Sequence, residues 1–560
     1  MTKQWLIKTP NPQAQVKLSD ALGIHPLIAQ LLVNRGVRNI KQARNFLTGD
    51  YSSLHDPFLL KDMDKAVRRI RQAQKKKEQV LVFGDYDVDG ITSSAILKKV
   101  LTALALDVIN YIPHRIDEGY GLNHTIAAFA KKKGIHLLIA IDCGINAVSE
   151  VESINDQGID VIILDHHEPP EDHLPKALAI VNPRRKDCTY PFKDLASAGL
   201  AFKLAHALLG KVPDDFMDLV ALGTIADVAD LTGENRIFVK EGLKRIEQTK
   251  NQGLLALMHT ARIKDKKIKP TSVGFILGPR INATGRLGSA EKALELLLCD
   301  DFSKAMMIAE SLEGDNRLRQ KTQKEIADEA LSMVEQNVNF KDHRVIVVSK
   351  EGWHPGVVGI VAARLMDTFY RPAIVISLDN GIGKGSARSI ESFHIYEALH
   401  HCAAHLENFG GHEHAAGLTI KAEKIDSFSQ AMNEYASRVM DVHDLVPTLE
   451  VDSEIPLAAL DLDLAKAIEA IEPCGEGNPT PVFCSRRLSL KGSCQIAGRE
   501  TIKFWATDGQ KAFSCVGFGM AGYADCLSQA KEFDCAYQVM IDDYNKDPQV
   551  QLKIKDIKIN

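Results

Sequence analysis

The stretch GDYDVDG, residues 84–90, decides the reading of this chain. It sets three carboxylates, Asp85, Asp87 and Asp89, at alternate positions and closes on Gly90. At neutral pH charges that close repel, so unless all three point into water a cation must offset them. A hard divalent ion with oxygen ligands is the obvious candidate. The calcium loop of an EF-hand opens the same way but needs a glutamate at its twelfth position. Counted from Asp85, that position is Ile96. The context is also wrong for an EF-hand, because Gln79 to Phe83 (QVLVF) is a short run of strand formers, not a helix. Ile91 to Leu106 then carries apolar residues at helical spacing. The acidic loop therefore joins a strand to a helix, where open α/β sheets bind their ligands.

Working outward, the chain from Gln79 to about Val228 alternates short apolar runs with helical stretches, which predicts βαβ units and a parallel sheet. LLIAID closes on Asp142, VIILDHH closes on Asp165, His166 and His167, and ALGTIADVAD places Asp227 and Asp230 after an apolar run. These ends are expected to converge at one edge of one sheet. A single aspartate at a strand end is commonly the N-cap of the next helix, and Asp230 is read as no more than that. The ensemble is harder to explain so. Carboxylates with one or two imidazoles suit manganese or magnesium better than a structural zinc tetrahedron, and two such ions would need a shared carboxylate.

Residues 289–336 lack proline and, apart from Gly314, read as helix formers, so one or two long helices are predicted as a connector. A second α/β pattern begins at RVIVVS (Arg344 to Ser349) and runs to about Met440. After Pro447, short alternating segments such as TIKFWAT, AFSCVGF and VQLKIKDIKI predict a small all-β barrel.

With 560 residues the chain can form three or four domains, each with its own core. Its charged share of 25% and apolar share of 45% are ordinary for a soluble protein. No apolar run approaches a membrane span and no cleavable leader is visible, so a cytoplasmic location is expected, without membrane association. Ten cysteines lack C-x-x-C pairing, which argues against a zinc ribbon or a disulfide framework. The net charge of −5 is no signature of nucleic-acid binding, yet aspartates that hold metal would lower that sum without removing basic clusters such as Arg262 to Lys269.

GDYDVDG, IDCG, LDHHEPP and GTIADV resemble, in order, the four motifs of the DHH phosphoesterase superfamily. EGWHPGVVGIVAARL, GKGSARS and GGHEHAAG resemble the DHH-associated domain, and EPCGEGNPTPVF resembles the entry to an OB-fold. The resemblance covers nearly the whole chain. It implies an α/β protein with a DHH-type doubly wound parallel sheet domain, a long helical connector, a second α/β (DHH-associated) domain and a C-terminal OB-fold β-barrel. The expected divisions are an N-terminal extension at 1–58, the catalytic domain at 59–288, the connector at 289–340, the associated domain at 341–443 and the barrel at 444–560. The extension discloses no chemistry of its own.

The same resemblance implies a metal-dependent exonuclease of DNA recombination and repair that hydrolyses single-stranded DNA from 5′ to 3′ into 5′-mononucleotides. Two manganese or magnesium ions would activate the attacking water. Carried over residue by residue, Asp85, Asp87, Asp89, Asp142, His166 and Asp227 are the expected metal ligands. Asp165 would orient a neighbouring imidazole, and His167 would meet the scissile phosphate or assist proton transfer. Arg280, Ser386 and Arg388, with Gly410, Gly411 and His412, are expected to bind the 5′ end of the strand. Phe504, Trp505, Phe513 and Phe518 are candidates for base stacking, although alternating aromatics in strands are often core. Expected partners are single-stranded DNA with a 5′ end, a single-strand-binding protein and a DNA helicase. A pyrophosphatase, a cyclic-dinucleotide phosphodiesterase or a short-oligonucleotide nuclease would share the metal chemistry but needs no barrel. A scaffold with a dead nuclease fold would be expected to lack ligands that are all present here. GKGSARS does not keep Walker spacing, and His412-Glu413-His414 is not H-E-x-x-H.

Overall fold

A computed structural model describes residues 3–115, 117–171, 173–542 and 547–559. The chain divides into two compact units, Ile7–Glu313 with Glu450–Asn560, and Met1–Leu6 with Gly314–Leu449. The division runs through the helix Phe302–Asn337.

In the first unit, five strands form a wholly parallel sheet in the order Asp107–Tyr111, Gln79–Gly84, Leu137–Ile141, Asp160–Leu164 and Ala179–Val181. Period-2 alternation shows why these segments read as continuous apolar runs. Val80, Val82, Ile139, Ile141, Ile162 and Leu164 pack into one core with residues of the helices Val88–Ala103, Ser197–Leu209 and Met217–Ala226. Leu81, Phe83, Leu138, Ala140, Val161 and Ile163 pack into a second core with residues of Thr125–Lys132 and Val148–Asn155. Both faces are covered, so every position must be apolar. Each of the larger of these side chains contributes about 1.5–3 kcal/mol on burial. The chain leaves the strand Gln79–Gly84 for a neighbour on one side and then crosses to the other, so the switch point lies between Gln79–Gly84 and Leu137–Ile141. Asp85 and Asp142 follow those two strands.

One expectation is corrected. Asp227 does not end a strand; it is the C-cap of the helix Met217–Ala226. Residues 217–224 of that helix are all buried, so it has no polar face to mark it as helical.

The barrel belongs to the same unit. Its seven strands run from Ser453–Glu454 through Phe483–Leu490, Phe533–Asp542, Gln549–Ile559, Ala512–Gly517 and Thr501–Thr507 to Gln495–Ala497, and a further pairing of Phe483–Leu490 with Thr501–Thr507 closes it. The N-terminal helices Pro12–Leu22, Pro26–Asn34 and Ile40–Thr48 send Leu18, Leu27, Ile28, Leu31, Leu32 and Ala43 into the barrel's core cluster. Among the described residues no single helix is long and apolar enough to cross a membrane.

In the second unit the sheet order is Leu406–Gly411, Ala415–Lys421, Ile382–Arg388, Ala373–Asp379 and Ile346–Glu351, and only the last pair is parallel.

Candidate active site

The first acidic loop is folded tightly on itself. A Cβ at Gly90 would lie 2.5 Å from the Asp85 carbonyl oxygen, so no other residue fits there. Asp87 does act as an N-cap, accepting the Gly90 N–H at 3.1 Å, and it also has a carboxylate oxygen within 4.8 Å of one on each of Asp85 and Asp142. Asp89 is fully buried, and its two oxygens accept the Ser197 and Ala198 N–H groups at 2.7 and 2.8 Å, at the N-terminus of the helix Ser197–Leu209. That helix end favours the charged form. Burial and Asp87 act more strongly the other way, and the Asp89 pKa is pushed up to about 7.

Asp142 sits at φ +66°, a left-handed conformation that turns the chain sharply after its strand. His166 Nε2 lies 3.3 Å from Asp142 Oδ1 and 3.8 Å from Asp227 Oδ2. Asp165 takes a different part. Its Oδ1 accepts the His167 backbone N–H at 3.0 Å and pairs with His167 Nδ1 at 2.7 Å, while its Oδ2 accepts the Ile145 N–H at 2.9 Å. It therefore orients His167, not His166.

Burial pushes the carboxyls of Asp85, Asp142 and Asp227 well above the usual range, and the neighbouring aspartates push the same way. Burial, followed by the nearby His167, holds His166 down at about 3, so its imidazole is neutral and offers a lone pair. For His167 burial opposes the charge, but the Asp165 hydrogen bond and the surrounding carboxylates outweigh it and raise the pKa. Asp85 Oδ1, Asp142 Oδ1 and His166 Nε2 are buried and, among the described residues, form no hydrogen bond. Native interiors seldom tolerate such orphans unless an ion or water satisfies them. The ligand atoms fall into three overlapping groups, Asp85 with Asp87 and Asp142, Asp89 with His166 and Asp227, and Asp142 with His166 and His167, each within 4.8 Å. Asp142 and His166 are each shared by two groups. This donor set of carboxylates with a neutral imidazole, sharing a carboxylate, fits a pair of hard divalent ions.

The residues expected at the 5′ end are divided between the units. Arg280, in the first, pairs through Nε with Glu313 Oε2 at 2.8 Å and donates from Nη1 to the Ile276 carbonyl. In the second, the strand Ala415–Lys421 lies between two others, and its Gly417 is in register with both Ser386 and Gly410, as Ala415 is with Arg388 and Ala416 with Gly411. Arg388 donates from Nη1 to Ser386 Oγ at 3.4 Å. A Cβ at Gly359, near the start of the helix Val358–Phe369, would lie 2.9 Å from Ser386 Oγ. Burial, with His414 and Arg388 nearby, lowers the His412 pKa.

Sequence reasoning missed several neighbours. The Tyr120 hydroxyl donates to the Asp142 carbonyl at 3.1 Å and lies 3.2 Å from His167 Nδ1. Asn182, buried just beyond the strand Ala179–Val181, donates to the His167 carbonyl at 2.8 Å. Asn282 accepts the Val88 N–H at 3.1 Å, holding the first acidic loop from the helix Gly278–Leu287. Asn182 follows an apolar run as Asp142 and Asp165 do, a signal that was available.

The candidate stackers separate by exposure. Phe504 is 2% exposed and meets Phe533 edge to face, so it is core, and Phe513 packs partly against the same core. Trp505 and Phe518 are 45% and 60% exposed, with the Lys553 ammonium 5.7 Å from the Phe518 ring centre. Trp505→Ala is expected to weaken metal-free binding of single-stranded DNA by about 1–3 kcal/mol without moving the melting temperature. Phe504→Ala is expected to destabilise the fold by about 3–5 kcal/mol. Paired binding titrations and thermal melts separate the two.

Residues 79–224 match the DHH family, N-terminal domain, residues 342–438 the DHHA1 domain, and residues 451–556 the RecJ OB domain. The chain is 40% identical over 561 residues to the single-stranded-DNA-specific exonuclease RecJ of Bacillus subtilis, covering 100% of this chain and 71% of that protein. It is 31% identical to the protein of the same name from Escherichia coli, covering 95% and 96%. In structure it is similar to RecJ from Thermus thermophilus in complex with Mn2+, with a TM-score of 0.86 and 29% identity over 100% of this chain and 80% of the other. The Mg2+ complex of the same protein superposes with a TM-score of 0.79 at 28% identity, covering 100% and 78%. Identity of this extent, running through all three matched domains, means that the chain belongs to the RecJ family.

Proposed function

We propose that this chain hydrolyses single-stranded DNA from its 5′ end and releases 5′-mononucleotides, in DNA recombination and repair. The observation that carries this reading is the set of three buried polar atoms, Asp85 Oδ1, Asp142 Oδ1 and His166 Nε2, that form no hydrogen bond among the described residues and lie at the carboxyl edge of the parallel sheet. Asp85, Asp87, Asp89, Asp142, His166 and Asp227 would hold two manganese or magnesium ions, which when bound lower the pKa of an attacking water and offset charge on the phosphate. Asp142 and His166, each in two of the groups, would be the ligands common to neighbouring positions. Tyr120 and Asn182 hold the backbone of Asp142 and His167 in place. Asp165 engages Nδ1 of His167, so Nε2 is the nitrogen that can donate to a phosphate oxygen or pass a proton to the departing 3′-oxygen.

At the strand's end, Ser386, Arg388, Gly410, Gly411 and His412 of the second unit would recognise the terminal phosphate through a guanidinium fork, a hydroxyl and closely approaching backbone, and Arg280 of the first is read as a further 5′-end contact. The five-part division at 58, 288, 340 and 443 is part of this reading. So are a cytoplasmic site of action, a single-strand-binding protein that coats the substrate and a helicase that exposes it.

The test uses single-stranded, double-stranded and very short substrates labelled at either end, with manganese or magnesium. Metal-dependent mononucleotide release from the 5′ end of long single strands is expected. Release from the 3′ end, or cleavage of only the shortest substrates, would reject it. Asp165→Asn is expected to slow the reaction about 10–100-fold, as loss of an orienting carboxylate does. Its pH–rate profile should also lose the step belonging to the raised His167 pKa. An unchanged profile would show that His167 carries no proton in the reaction.

A further inference from the structure

Arg236 lies in the first turn of the helix Gly233–Glu247, nine residues after Asp227, and is 3% exposed. Its Nε donates to the Phe46 carbonyl at 2.8 Å. Nη1 donates to the carbonyls of Ile471 and Pro473 at 3.0 and 3.1 Å, and Nη2 to those of Ala470 and Glu472 at 3.3 and 2.7 Å. The guanidinium carbon also stands 3.8 Å from the centre of the Phe46 ring. All five donors thus go to the backbone of two other segments, the N-terminal helices and the entry to the barrel. Among the described residues no carboxylate pairs with it. A buried cation without an acidic partner is costly, and a lysine, with three donors and no planar fork, could not make this set of bonds.

The barrel entry is clamped from its other sides as well. Asn478 is fully buried, donates to the carbonyls of Ile471 and Pro473 at 2.9 and 2.8 Å, and accepts Arg35 Nε at 2.6 Å. Arg35 in turn pairs with Asp452 at 3.2 Å. The Leu231 N–H donates to the Glu476 carbonyl at 2.8 Å. Gly477, at φ +65°, lies so close to Asp230 that a Cβ would come within 2.9 Å of its carboxyl carbon. Glu472 and Cys474 of this loop also line a cleft of about 320 Å³ whose other walls include Met540 and Lys553 of the barrel and Lys269 of the catalytic domain.

We propose that Arg236, backed by Arg35 and Asn478, is a positioning residue that fixes the barrel at a set spacing from the loop bearing Asp227, so that a strand held on the barrel enters the metal centre in one register. The inference rests on the nuclease reading above. It explains what the N-terminal helices do, and why a loop that carries no catalytic group is built from so many buried polar contacts.

The test uses full-length Arg236→Lys, which keeps the charge and loses the fork. Strands of about 3 and about 30 nucleotides bracket the ~4–16 nucleotides that one OB-fold covers. Binding is measured in EDTA, and kcat and KM with manganese. The expected result is a KM on the long strand raised at least about tenfold, with the short strand within about twofold on both parameters and the metal-free preference for long over short reduced to match. Gly477→Ala, a milder change that pushes the same loop off Asp230, should move the same quantities less and serves if Arg236→Lys does not fold. Unchanged length dependence in a folded variant, or equal loss on both lengths, would overturn the proposal. If the wild type cuts neither strand, the nuclease reading fails instead, and the metal-free binding series still decides the role of Arg236.

Discussion

Asp142→Asn is expected to lower hydrolysis by about a thousandfold while raising the melting temperature of the metal-free protein. The two effects have one cause. Asp142 is 2% exposed, has an oxygen that forms no hydrogen bond among the described residues, and faces Asp89, Asp87, Asp85 and Asp227, all of which push its pKa up in addition to burial. In the absence of metal its charge is a liability, and amide nitrogen in place of one oxygen removes that charge and adds a donor among acceptors. The φ of +66° does not stand in the way, since asparagine adopts the left-handed region readily. A folded-state carboxyl pKa above the unfolded one means that the native state binds more protons. The stability from this source is therefore fully present below the unfolded value and is lost as pH rises through the folded value. Metal-free wild type should accordingly melt lower at pH 8 than at pH 5, Asp142→Asn should flatten that slope, and saturating manganese should restore the wild type alone at pH 8. Each kcal/mol recovered is worth about 1 °C in a unit of this size. Melts in EDTA across that range, with calorimetric manganese titrations, decide it. A variant that keeps its activity, or melts lower without metal at pH 8, would show that Asp142 is not the shared ligand.

The parts of this centre that could be read from sequence are those whose signal is local. The strand ends at Asp85, Asp142 and Asp165 were legible because a strand buried on both faces is a short unbroken apolar run, and a charge at its end stands out. Asp227 also follows an apolar run, but that run is a helix, and a helix buried on every side reads like a buried strand. In TIKFWAT the alternation showed two faces without showing which was inside, and the barrel's closure puts Phe504 in and Trp505 out. The row of Ser386, Gly417 and Gly410 depends on strand register between segments far apart in sequence, which no local pattern encodes. The N-terminal helices and the EPCGEGNP loop looked chemically idle because what they offer Arg236 is backbone carbonyls, and Arg35 and Asn478 bond across to each other.

Gly223→Ala is expected to lose metal affinity and most activity at a modest cost in stability. Alanine normally improves a helix interior by about 1 kcal/mol over glycine, so the sign must come from packing. A Cβ at this position would lie 2.4 Å from Thr92 Oγ1, 2.7 Å from the Ala198 Cβ and 2.7 Å from Asp89 Oδ1. None of these can yield easily. Thr92 Oγ1 donates to the carbonyls of Val88 and Asp89, Ala198 has no rotamer to change, and Asp89 is held by two backbone N–H groups. The displacement must then fall on the helix Met217–Ala226, whose C-cap is Asp227. Overpacking of this kind costs about 1–3 kcal/mol, whereas moving a reacting group by about 1 Å costs on the order of a hundredfold in rate. Gly242→Ala is the control. Its Cβ would strike Ala221 and the Met217 carbonyl of the same helix, at 2.3 and 2.5 Å, away from Asp89. Both variants should melt lower, but only Gly223→Ala should bind manganese weakly by calorimetry and turn over slowly at saturating metal. Equal losses of metal affinity in the two would mean that the centre responds to the helix as a whole, and that the close approach at Gly223 does not set the position of Asp227.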